Sequence, residues 1–138
     1  MTMSAWSKQL THCAMYSALL AVPAWAHHST ASFDYSRQVT LSGTVKQFNW
    51  TNPHMYLYVV VTDHNGQITT WSVECGAPNL NVRHGWKKDD LKPGDKITMT
   101  VHPNRDDSPG GTLMSVTLPS GRLLQAPGGD IVSAEPSK

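Results

Sequence analysis

Two adjacent histidines, His27 and His28, stand directly behind Ala24-Trp25-Ala26, and that position gives them a chemistry that histidines inside a chain lack. Small residues at Ala24 and Ala26 satisfy the small-x-small rule for signal cleavage. A cut after Ala26 makes His27 the first residue, with a free α-amine beside its imidazole. Amine and ring nitrogen can close a chelate ring on Cu(II), and His28 or a histidine brought in by the fold can complete a planar nitrogen set. A cut after Ala24 would leave Trp25-Ala26-His27, whose third-place histidine also makes a copper-binding end. His54 is the partner to look for, because Pro53 fixes the backbone just before it.

A second group of residues needs no metal. Tyr56, Tyr58 and Glu74, with Trp50 and Asn52 close by in sequence, offer ring surface, an acceptor and an amide, a set suited to a sugar, a peptide or a small aromatic molecule. Catalysis finds little support in the composition. Glu74 and Glu135 are the only glutamates and most aspartates fall in turns, so no acid and base pair stands out. Asn104, Asp106 and Ser108 alternate like the start of a calcium loop, but no glutamate closes it. Met55, Met99 and Met114 have core spacing and do not form a methionine cluster for Cu(I).

Residues 1–26 carry one charge, Lys8, then an apolar run from Cys13 to Val22 and the breaker Pro23. This is a signal-peptide layout. The run is about half of the ~20 residues a membrane helix needs, so the expectation is a periplasmic or secreted protein with no integral membrane segment after cleavage. Removing 26 of 138 residues leaves 112, enough for one compact domain. That segment takes one of the 11 Lys and Arg and none of the 10 Asp and Glu, so the remainder balances at 10 against 10. Such a balance argues against a nucleic-acid partner. The expected partner is a small ligand or an envelope protein. Cys75 is the single cysteine left, so no internal disulfide can form.

These residues must be positioned by short strands. Val39, Leu41 and Val45 alternate with Thr40, Ser42 and Thr44, predicting a half-buried first strand with a bulge or bend at Gly43. Met55 to Thr62 reads as a central strand and Ile68 to Cys75 as its return. A three-residue loop, His64-Asn65-Gly66, pairs Leu57 with Val73 and Val59 with Trp71 on one face, leaving His54, Tyr56, Tyr58, Ser72 and Glu74 on the other. A one-residue slip would mix apolar and polar side chains on both faces. A short helix follows, with Asn79 as cap and Gly85 as stop, and Trp86 folds back over it. Ile97, Met99 and Val101 face inward on a fourth strand, and Thr112 to Leu118 is a fifth. The tail, 125–138, rich in Pro, Gly and Ser, is expected to be disordered.

Three strands, a short helix and two strands give an all-β domain over 27–124, a small five-stranded OB-like barrel with one short helix between strands three and four. A sandwich of similar strand count is the alternative. With His27-His28-Ser29, Phe33-Asp34, Gly43-Thr44-Val45, Phe48-Asn49-Trp50-Thr51-Asn52-Pro53-His54, Gly85-Trp86 and Leu91-Lys92-Pro93-Gly94-Asp95, the chain resembles a bacterial family of secreted proteins classed as a domain of unknown function. The resemblance spans roughly His27 to Leu124. It implies export and one small β domain, and it draws attention to His27, Trp50, Asn52, His54 and Trp86.

Overall fold

The computed structural model describes residues 32–128. Its elements run β1 (Val39–Asn49), β2 (Tyr56–Thr62), β3 (Ile68–Glu74), α1 (Pro78–Arg83), β4 (Lys96–Pro103), β5 (Gly110–Thr117) and β6 (Leu123–Gln125). The strands lie in the order β3-β2-β1-β4-β5-β6, and a further parallel pairing of β3 with β5 closes the first five into a barrel. That closure decides for the barrel over the sandwich. Among the described residues no helix is long and apolar enough to cross a membrane.

β1 serves two neighbours. Its first half pairs with β4, from Val39 opposite Val101 to Thr44 opposite Lys96, and its second half pairs with β2, ending at Asn49 opposite Tyr56. The irregularity expected at Gly43 falls instead at Lys46, where Val45 faces Val59 but Gln47 already faces Tyr58. Gly43 answers a different need. A β-carbon there would lie 2.5 Å from the Val60 carbonyl oxygen and 2.6 Å from Val59 Cγ1, so a missing side chain lets β2 close on β1.

The β2–β3 hairpin has the register expected from its loop. Leu57 faces Val73, Val59 faces Trp71 and Thr62 faces Ile68. Asp63 N donates to Gln67 O at 3.0 Å, leaving a three-residue loop in which Gly66 takes a φ of 80°. A left-handed third residue is what such loops demand. Met55, Leu57, Val59 and Val73 are therefore fully buried, and Met99, Val101 and Val116 meet them from β4 and β5.

α1 begins two residues earlier than expected, at Pro78 behind Ala77 and not behind an Asn79 cap. Proline suits the first turn because its φ is preset and its missing N–H needs no partner. The end is as expected and forms a Schellman motif. Trp86 N donates to Asn81 O at 3.1 Å and Gly85 N to Val82 O at 3.0 Å, with Gly85 at φ 85°. Trp86 is thereby turned into the core at 2% exposure, and its Nε1 donates to Gln125 O at 2.8 Å. Gln125 belongs to β6, which pairs with the second half of β5, and Ala126 is buried with its N–H donating to Met114 O at 2.9 Å. The ordered chain thus passes Gln125, where the tail was expected to begin. Residues 129–138 lie outside the described part.

Candidate functional site

The hairpin register fixes what the outer wall of β2 and β3 presents. Tyr56 stands opposite Glu74 and Tyr58 opposite Ser72. His54, just ahead of β2, reaches across so that its Nδ1 lies 2.6 Å from Glu74 Oε1, while the Tyr56 hydroxyl donates to Glu74 Oε2 at 3.4 Å. One carboxylate therefore gathers an imidazole and a phenol. The His54 side chain is 39% exposed and Glu74 21%, which leaves the ring open to solvent above a more sheltered carboxylate. In the neutral imidazole, a carboxylate so placed accepts the Nδ1 proton and leaves Nε2 as the ring atom with a lone pair. Partial burial, and then the charge of Glu74, push the Tyr56 hydroxyl above its ordinary pKa, so it stays a protonated donor.

The loop before His54 is held locally. Asn52 and Pro53 are joined by a cis peptide bond, and Thr51 Oγ1 donates to His54 O at 3.2 Å. Asn52 is exposed in this turn, whereas Trp50 is half-buried and packs on the core, edge-on to Phe48 with ring centres 5.9 Å apart. The fold thus brings together His54, Tyr56 and Glu74 among the expected residues, keeps Tyr58 one register step along the same wall, and commits much of Trp50 to packing. His27 and His28 lie outside the described residues. Among the described residues no three of His, Cys, Asp and Glu are grouped to hold a metal ion.

Phe33 and Tyr35 dock at the far end of β4, against Asn104 and His102. Phe33 bridges Asn104, Asp34 N donates to Pro103 O at 2.8 Å, and Arg105 N donates to Ser32 O at 2.9 Å. Tyr35 tilts over the ring of His102 at 5.1 Å, and His102 Nδ1 lies 2.7 Å from Arg37 O. His102 is therefore half-buried under a strap formed by residues 32–37. No apolar period marks that strap in the sequence.

Cys75 follows Glu74 but points inward, is 1% exposed, and burial pushes its thiol well above the ordinary range. The unfolded thiol ionises near pH ~8.5. Above that pH the unfolded state has lost a proton that the folded state keeps, so stability falls as pH rises. In protein beginning at His27, iodoacetamide should leave native Cys75 unmodified at pH 8 and label it in denaturant. Cys75→Ala should remove part of the stability loss between about pH 8.5 and 10. Rapid labelling of the native thiol would contradict its placement.

A barrel closed by parallel β3 and β5, with one helix after its third strand, is an OB-like barrel, here with a carboxylate-backed imidazole on its β2–β3 wall. Within that class the chain belongs to a family of unknown function, DUF6152, whose model matches residues 16–114. The match ends inside β5 and so does not include β6. No curated protein and no solved structure matches the chain.

Proposed function

We propose that this is an exported, periplasmic or secreted accessory protein that binds Cu(II) through a mature amino terminus at His27, with His28 and the Nε2 of His54 completing the nitrogen set. The observation that carries this reading is the 2.6 Å contact between His54 Nδ1 and Glu74 Oε1. Metal-binding histidines are commonly oriented by such a carboxylate, which fixes the tautomer and makes the other nitrogen a better donor. The same contacts count against the rival use of the wall, in which Glu74 and Tyr56 hold an organic ligand or an envelope protein without metal. Each oxygen of Glu74 already accepts from inside the protein.

The test begins with mass measurement of the exported chain, which should start at His27. Copper titration of that protein, followed by tryptophan fluorescence and by the nitrogen splitting of the Cu(II) resonance spectrum, should then show weaker binding by about tenfold or more in His27→Ala and in His54→Ala. Parent affinity in His27→Ala would remove the terminal chelate. Parent affinity in His54→Ala would leave copper on a free terminus with no role for the barrel.

A further inference from the structure

Away from the His54 wall, the outer face of β1 and β4 carries a ladder of hydroxyls. Thr40 Oγ1 lies 3.1 Å from Thr100 Oγ1, Ser42 Oγ lies 2.9 Å from Thr98 Oγ1, and Lys96 Nζ donates to Thr44 Oγ1 at 2.7 Å. These are the directly opposed pairs of the β1–β4 register. The lower two pairs open into a pocket of about 570 Å³ that Thr62 and Thr117 also line, with Val60, Leu118 and Pro119 as apolar wall. No carboxylate lines the pocket, and among the described residues Lys96 forms no ion pair. Its ammonium has three donors and spends one on Thr44, a neutral acceptor.

We infer that this pocket binds a small hydroxylated molecule, of the size of one sugar ring, through an oxyanion group seated on Lys96. The chemistry follows from the lining. An ammonium with spare donors and no ion-pair partner attracts phosphate or carboxylate. Hydroxyls that bond each other in pairs still keep lone pairs and, at one end of each pair, a donor for a polyol. Val60, Leu118 and Pro119 offer a dry surface for the apolar side of a ring, and the volume lies within the range of small-ligand sites. Gly43 contributes from below, since its missing side chain draws β2, and with it Val60 and Thr62, against β1. This site is independent of copper, and its failure would leave the His54 reading untouched.

Amide-resolved NMR titration tests it with four probes: glucose 6-phosphate, glucuronate, glucose and inorganic phosphate. Glucose 6-phosphate or glucuronate should shift the amides of Ser42, Thr44, Lys96 and Thr98 in a saturable way, at least tenfold more tightly than glucose or phosphate alone. Lys96→Gln, on an exposed position, should lose at least tenfold in affinity, Lys96→Arg should regain most of it, and Thr98→Val should weaken binding less. The inference is overturned if neither charged sugar moves these amides at millimolar concentration, if inorganic phosphate binds as well as glucose 6-phosphate, or if Lys96→Gln binds like the parent.

Discussion

Replacing Trp86 with alanine is expected to destabilise the barrel by about 3–5 kcal/mol, the range for emptying a buried aromatic site. The side chain is 2% exposed, faces Phe48 with ring centres 6.2 Å apart, and ties the end of α1 to β6 through Gln125 O. Loss of the ring removes packing, and loss of Nε1 leaves a β6 carbonyl without its donor. Trp86→Phe should separate the two effects, keeping most of the apolar volume while losing about 1 kcal/mol for the hydrogen bond. Urea unfolding of parent and variants measures both. A lowered midpoint with unchanged slope is the expected form, and a loss below about 1 kcal/mol for Trp86→Ala would mean that the ring is not part of the core.

The second large effect is on metal binding and rests on the copper reading. Glu74→Ala should lower Cu(II) affinity by about 10- to 100-fold, the usual cost of removing the group that orients a ligating histidine. Glu74→Gln should cost less, because its side-chain carbonyl can still accept the Nδ1 proton of His54. Tyr56→Phe should cost least, since that hydroxyl touches Glu74 at 3.4 Å and not His54. Competition titration with a chelator of known affinity gives the three numbers. The order Ala, Gln, Phe is the signature of a carboxylate acting through His54, and parent affinity in Glu74→Ala would refute it.

Much of this wall was legible before any coordinates. The hairpin register followed from a single constraint, that Met55, Leu57, Val59, Val73 and Cys75 share one face, and Gly66 supplied the loop that permits it. Gly85 announced the helix end and the inward turn of Trp86 for a similar reason, because local chemistry and burial agreed. The failures came where the outcome depends on counting residues across strands. Gly43 looked like a bulge because glycine weakens a strand, but the extra residue is Lys46, set by how β1 must divide between β2 and β4. Ala77 displaced Asn79 as helix cap because Pro78 fills the first turn without needing one. The strap over His102 carried no periodic signal. The hydroxyl ladder was visible as alternation in Thr40-Leu41-Ser42 and Thr98-Met99-Thr100, but its facing required the β1–β4 register.

Strand alternation has one more consequence at the β2–β3 wall. Met55 follows His54 and Cys75 follows Glu74 in the chain, yet Met55 and Cys75 are 0% and 1% exposed and face the core. The thickness of the sheet therefore separates two soft sulfur donors from the imidazole and carboxylate beside them. Among the described residues, a cation resting on the outer wall would meet borderline nitrogen and hard oxygen alone, with the sulfur of Met55 and Cys75 on the core side. Because Cu(I) favours sulfur and Cu(II) accepts nitrogen and oxygen, a wall that bound copper as proposed would favour Cu(II) simply through the two-residue repeat of a β-strand.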